Sequence, residues 1–581
     1  MSPLDDRFTP LKAALAAALL ALIAGLMGVF TLPVLDRDEA RYAQATSQML
    51  ESGDYVEIRY LDTARNKKPV GIYWLQAASV ATVSSEEARA IWAYRLPSLL
   101  GAMLAAAFTA LAGARLYGAG TGFAAGALLG VTALMGTEAG IAKTDAMLAA
   151  CVALSFFAFI ALRQSGEIAD PARRRGAGRA WAVLWWAAVG AGALIKGPVA
   201  PLSAGLAVAA LSALERRLDW ARPLTFWPGP LVAAAFVLPW LIAVQLETGG
   251  GFLADAVGGD LGPKLVSGDE GHGAPPGLHL LLLPLMFFPA AALLPAGIRA
   301  AIKDWRAGTE PVARSAGLAA KLCVCFALPT WIMFELLPTK LPHYVLPAYP
   351  ALAVLAGLGF DRLRESARLW LAAGVALLAG GAAVFGAVMI YGAQVYGASL
   401  PAAVAVSGVL AALVAGAGAA MMIRRPVAAL AVLLIAGVAG HAGLRGLVLP
   451  SAHDLFVSDR AADALDAVRK AAPDAPVTST FTEPSFAFAA GGELTLSGPA
   501  AITAAQPDLS AAAIYVIDRA RWYEGATDRV ARTRRDAALN ALTASACRRE
   551  TASGVNYSRG QQTEVLVLLT GCPPRIEGDS P

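Results

Sequence analysis

Charge is scarce in this sequence. Of 581 residues only 15% are Asp, Glu, Lys or Arg, while 57% are hydrophobic and the mean hydropathy is +0.56. Soluble domains carry about 25% charged residues, so a water-soluble globular chain is excluded and an integral membrane protein is indicated. Basic runs are missing as well, and the net charge is only +4; no nucleic acid partner is expected. Cysteine is limited to five residues and histidine to five, with neither CxxC nor HExxH among them. Scattered acids leave room for a divalent metal, but no spacing indicates one, and no cofactor is assigned. GxGxxG and P-loop patterns are absent, so no nucleotide site is indicated.

Long apolar runs are abundant. Thirteen candidate spans are expected, at roughly 12–34, 91–114, 118–137, 144–162, 180–195, 198–214, 226–246, 277–298, 319–337, 342–360, 368–391, 400–422 and 427–448. The first run, Ala13–Thr31, has no clear small-residue cleavage site and reads as a retained span. Numbering the ends alternately puts Arg163, Arg173–Arg175, Arg216, Arg217, Arg299, Lys303, Arg362, Arg424 and Arg425 on one side. The positive-inside rule makes that side cytoplasmic. The N-terminus is then inside and the C-terminus outside.

Residues 449–581 lose the apolar runs. Short strand-like segments appear at Val477–Phe481, Glu493–Ser497, Ala513–Asp518 and Val565–Thr570, with helical stretches at Ala461–Ala471 and Asp528–Ala544. The expected architecture is therefore a polytopic α-helical membrane domain over 1–448 and a small outer α/β domain over 449–581. An oxidising outer compartment permits a Cys547–Cys572 disulfide.

The densest charge in the membrane part lies in the first outer loop, residues 34–90. Two interfacial helices are expected there. The first is Glu39–Glu51, N-capped by Asp36 or Asp38. The second starts at Pro69 and carries Tyr73 and Trp74. Capping accounts for one acid, but Asp36, Asp38 and Glu39 are three within four residues. Asp145 stands at the mouth of the fourth span on another outer loop, and two converging carboxylates suit acid/base work. Outer loops should be poor in lysine, yet Lys68, Lys143, Lys196, Lys264 and Lys340 mark them. Snorkelling explains any one of these; a phosphate-bearing lipid held from the outer face explains the set. The Gly-rich loop 247–276 is a candidate lid over that lipid.

The stretch Asp38-Glu39-Ala40-Arg41-Tyr42-Ala43 resembles the DE-x-RYA signature of the aminoarabinose transferase family. That family belongs to the GT-C class of membrane glycosyltransferases and is related to protein O-mannosyltransferases. The resemblance continues through Lys68-Pro69-Val70-Gly71-Ile72-Tyr73-Trp74, Thr144-Asp145, Lys196-Gly197 and Lys340-Leu341-Pro342-His343-Tyr344. It implies transfer of a sugar from a polyprenyl (undecaprenyl) phosphate carrier on the periplasmic face, with aminoarabinose or a related sugar passing to lipid A or another envelope acceptor. By motif match Asp38 is the catalytic carboxylate, with Glu39 beside it and Asp145 as the second acid. Lys68, Lys196, Lys340, Arg41 and Tyr344 hold the donor phosphate. The position before Lys68, an acid in many members, is Lys67 here. Two other readings fit the same features: a protein or glycan transferase using polyprenyl-phosphate mannose or another hexose, and a transporter of lipid-linked sugar.

Overall fold

The computed structural model describes residues 3–35, 37–263, 273–306, 311–491, 494–505 and 509–572, without the side chains of 311–313. Asp36, Lys264 and the remainder of the expected lid at 265–272 lie outside the described residues.

The membrane domain is a helical bundle. Its helices are α1 (Pro10–Leu26), α2 (Asp38–Ser52), α3 (Gly71–Val83), α4 (Ile91–Tyr117), α5 (Ala119–Gly130), α6 (Ala133–Ala139), α7 (Asp145–Ser165), α8 (Pro171–Lys196), α9 (Val199–Glu215), α10 (Pro228–Glu247), α11 (Leu278–Met286), α12 (Leu294–Arg306), α13 (Pro311–Leu336), α14 (Tyr349–Asp361), α15 (Arg368–Val395), α16 (Leu400–Met422) and α17 (Pro426–Gly443). Among the described residues, nine helical segments are long and apolar enough to cross a membrane. The pair α5 and α6, bent by 64°, makes a tenth if it is one span. The other three expected spans are shorter or broken. Helices α1 and α9 have 17 residues each, and the run at 277–298 is divided between α11 and α12. Exposed Leu, Ile and Val side chains on the outer faces of α10, α15 and α16 suit a lipid solvent, in which only self-bonded backbone such as a helix can stand.

The first loop folds into the two expected helices. The residue before α2 is Arg37, at φ 63°, and it makes no side-chain cap. Asp38 is the first residue of α2 and its carboxylate is exposed, while the capping expected of Asp36 falls outside the described residues. Glu39 Oε2 reaches back to accept the Leu35 N–H at 2.8 Å, ahead of the helix. Helix α3 begins two residues after Pro69. A short hairpin, β1 (Arg59–Tyr60) with β2 (Thr63–Ala64), joins α2 to the Asn66–Pro69 turn.

The C-terminal residues form a five-stranded sheet, order β4-β3-β5-β7-β6, from β3 (Val477–Ser479), β4 (Thr495–Leu496), β5 (Ala513–Asp518), β6 (Arg548–Asn556) and β7 (Gln561–Thr570). Strand β3 runs parallel to β4 and β5, and β7 pairs antiparallel with β5 and β6, setting Ile514 opposite Leu569. Alternation along the strands divides the side chains. Ile514, Val516, Val565 and Val567 pack with α18 (Val457–Arg469) and α19 (Pro484–Ala490). Ile517, Leu566 and Leu568 face α21 (Arg529–Ser545), beside which α20 (Pro499–Ala505) lies. Strand β6 is absent from the sequence expectation because its Arg-Arg-Glu-Thr start is polar and exposed. Cys547 and Cys572 flank the β6–β7 hairpin and are disulfide-bonded. Helix α19 rests on α2, with Phe488 edge-on to Tyr94 at 5.3 Å between ring centroids.

Candidate active site

A buried arginine aims the start of α2. Arg95, near the start of α4, is fully buried. It grips both Glu39 oxygens at 2.8 and 2.9 Å. Its remaining N–H groups donate to the carbonyls of Val29, Leu32 and Pro33, which leave α1. Glu39 Oε1 also accepts the Ala142 N–H at 2.8 Å, in the turn before α7. One glutamate therefore fixes the ends of α1 and α2 and the turn that carries Lys143-Thr144-Asp145. Breaking one half of such a buried pair typically costs about 3–5 kcal/mol. Glu39 is not a cavity residue, which corrects its expected catalytic place: with four bonds made and 1% exposure, it has no oxygen left for a substrate. It brings its neighbour Asp38 and the more distant Asp145 to one cavity.

That cavity is about 690 Å³, in the range of small-ligand sites. Asp38, Arg41 and Arg65 line one side, Lys68 and the π-helical segment Ala254–Leu261 another, and Asp145, Lys196, His343 and Tyr344 the floor. Asp38 is exposed to it and makes no hydrogen bond or ion pair within the described structure. Asp145 is buried and meets Lys196 Nζ at 2.5 Å. Lys196 also lies 5.9 Å from the Tyr344 ring centroid. Lys68 Nζ meets Asp260 Oδ2 at 2.6 Å, and Asn66 Nδ2 donates to Asp255 at 3.0 Å, so the described part of the loop 247–276 is pinned to the Asn66–Lys68 turn. Gly71 lets this turn approach α8, since a Cβ there would stand 2.7 Å from the Leu194 carbonyl oxygen. Gly197, at φ 63°, ends α8 and leaves Lys196 at the rim.

Lys340 is not on the cavity wall. Its Nζ donates to the Ala274 and Leu337 carbonyls and ties two loops together, which corrects its expected phosphate contact. Arg65 and His343 line the cavity without a role in the sequence reading; Lys143 lines it too, and Glu138 joins the group through Lys143. Arg65 lies 5.6 Å over the Tyr42 ring and against Tyr73. Burial opposes its charge, but Tyr73, Tyr42 and Asp38 outweigh it and hold the guanidinium pKa above its ordinary value. Lys143, Glu138 and His343 surround Asp145: Lys143 Nζ is 3.0 Å from Glu138 and 3.8 Å from Asp145, and His343 Nε2 is 3.8 Å from Asp145. Burial opposes the Lys143 charge too, and Glu138 and Asp145 outweigh it. Lys143 was visible as an outer-loop lysine. Glu138 was hidden inside an apolar run, where an acid is itself a signal. Among the described residues no group of three His, Cys, Asp or Glu side chains gathers as a metal-ligand set.

An exposed acid, a buried acid and lysines around one cavity can balance a phosphate and orient an oxygen nucleophile. The family model for dolichyl-phosphate-mannose-protein mannosyltransferase matches residues 67–242. An undecaprenyl phosphate-alpha-4-amino-4-deoxy-L-arabinose arabinosyl transferase of Pseudomonas paraeruginosa is 28% identical over 57% of this chain and 56% of its own length. The protein of the same name from Erwinia tasmaniensis is 26% identical over 58% and 59%. The chain thus spans a little over half the length of the curated relatives it matches. In fold the likeness is nearly complete. The crystal structure of ArnT from Cupriavidus metallidurans bound to undecaprenyl phosphate has a TM-score of 0.70 at 20% identity, covering 98% of both chains. The apo oligosaccharyltransferase of Archaeoglobus fulgidus reaches 0.53 at 13% identity, covering 88% of this chain and 70% of that one. Helical architecture and C-terminal sheet domain give this multi-pass membrane protein the fold of the ArnT structure, and in sequence it is similar to aminoarabinose transferases over a little over half of its length and to the mannosyltransferase family model over residues 67–242.

Proposed function

We propose that this protein is a glycosyltransferase that moves a sugar from a polyprenyl phosphate carrier to an envelope acceptor at the outer face of the inner membrane. The observation that carries the reading is the pairing in one cavity of Asp38, exposed and unbonded among the described residues, with Lys68 and Lys196. The relatives' names supply the substrates: undecaprenyl phosphate as carrier and aminoarabinose or a related sugar as cargo. Lipid A is the acceptor the family resemblance implies.

In the reaction an acceptor oxygen bonds to the anomeric carbon while the bond from that carbon to the phosphate oxygen breaks. Asp38 orients the acceptor and takes its proton where it has one. Lys68 and Lys196 leave their resting carboxylates, Asp260 and Asp145, and neutralise the departing polyprenyl phosphate. Arg41 and Tyr344 border the same space. Residues 1–448 are the catalytic membrane unit, 247–276 the covering loop and 449–581 a periplasmic domain, with the N-terminus cytoplasmic. The family model favours one rival, transfer of mannose to a protein acceptor.

Asp38→Asn in the full chain, reconstituted with polyprenyl-phosphate sugars, separates enzyme from carrier. Transfer should fall at least 1,000-fold (about 4 kcal/mol of barrier) while expression and polyprenyl phosphate binding persist. Unchanged transfer would remove Asp38 from the chemistry. Donors bearing aminoarabinose and mannose, offered in parallel, decide the sugar.

A further inference from the structure

Glu138 is a buried acid that the reaction as described does not use. It sits near the end of α6, a seven-residue helix whose backbone cannot follow its side chain. Arg445 donates to the Gly136 carbonyl at 2.6 Å, and the His441 ring bonds the Thr132 carbonyl at 3.1 Å. From this fixed position Glu138 Oε2 takes Lys143 at 3.0 Å, and Oε1 lies 3.9 Å from His343 Nδ1. Both partners also reach Asp145, at 3.8 Å each. The four side chains close a ring, Glu138–Lys143–Asp145–His343, with Lys196 attached to Asp145 from α8. Asp38 acts on Lys143 from α2, and His279 acts on His343 from α11.

Two carboxylates and two ammoniums sum to zero with the imidazole neutral. A phosphodiester donor carries one negative charge. The phosphomonoester left after transfer carries about 1.5 to 2 at neutral pH. A floor holding Asp145, Lys143 and Lys196 alone would be net positive and would retain that product.

We propose that Glu138 is a positioning residue that holds Lys143 back from the phosphate site and so sets the release of the polyprenyl phosphate product. When Lys196 turns from Asp145 to the phosphate, Lys143 moves from Glu138 toward Asp145 and keeps the buried carboxylate paired; on release the exchange reverses. The inference rests on the transferase reading above.

The test uses the full chain in nanodiscs with polyprenyl phosphate itself as probe. Removing one unit of negative charge about 10 Å from one unit on a phosphate, at an effective dielectric near 20, changes affinity on the order of tenfold. Glu138→Gln should bind polyprenyl phosphate about tenfold more tightly, with kcat and the donor's KM falling together and product inhibition setting in at about tenfold lower concentration. Glu138→Asp, which keeps the charge, should restore much of the wild-type behaviour. Lys143→Met should shift binding the other way, about tenfold weaker. Equal or weaker binding by Glu138→Gln overturns the proposal, since a merely structural role would loosen the site and raise KM. Should Glu138→Gln fail to fold, unchanged affinity in Lys143→Met overturns it instead. Wild-type protein that binds no polyprenyl phosphate removes the transferase reading and this inference with it; wild-type binding and turnover with a failed variant pattern removes the inference alone.

Discussion

Adjacent acids at the head of α2 have opposite fates, and the difference is one of direction. Asp38 points into the cavity and Glu39 into the bundle, because successive residues of a helix lie about 100° apart. The lysines divide in the same way. Lys68 and Lys196 face the cavity through carboxylates that can release them, whereas Lys340 is spent on two carbonyls. Lys68→Ala and Lys196→Ala should each weaken polyprenyl phosphate binding about tenfold or more, the scale of one charge-assisted contact. Lys340→Ala should change it less than threefold. Titration of the three variants with polyprenyl phosphate checks this ordering, and equal losses at all three would return Lys340 to the phosphate site.

At the scale of elements, the site depends on how closely two backbones approach. Helix α3 lies against the end of α8 because Gly71 has no Cβ to meet the Leu194 carbonyl, and that contact sets the separation of Lys68 from Lys196. Gly71→Ala should push α3 outward by a few tenths of an ångström or more. Donor KM should then rise about fivefold or more, with stability lowered by about 1–3 kcal/mol, the usual cost of overpacking. A thermal unfolding curve and donor kinetics on the same preparation measure both, and wild-type values in both would show the contact to be slack. The two loop helices were legible from Glu39–Glu51 and from Pro69 onward. Their caps were not, because Asp, Glu and Ser near a helix start all satisfy the pattern, and only the fold decides which oxygen meets the free N–H groups.

Over the whole molecule, the thirteen apolar runs fall on α1 and on α4 through α17, with α5 and α6 sharing one run and α11 and α12 another. Run length is a direct consequence of bilayer thickness. The break at 277–298 was not legible, because a divided apolar run and a continuous helix have the same composition. The proposed placement of the sheet domain outside rests on the Arg distribution, and on that reading a reporter enzyme fused after Pro581 should be active only in the periplasm; cytoplasmic activity would invert the topology.

Composition and spacing alone determined that this chain is a membrane protein, and they singled out a charged first loop, Asp38, Asp145 and a set of lysines of the chemistry that suits a phosphate. Those follow from transfer free energies and from residue chemistry, which are local. Only the tertiary structure decided that Glu39 and Lys340 are braces, that Arg65, Lys143 and His343 line the cavity, and that Glu138 is tied to it through Lys143. The cause is that a charge's role depends on which opposite charge lies within about 4 Å, and those partners come from α4, α6 and the segment before α14, far apart in sequence.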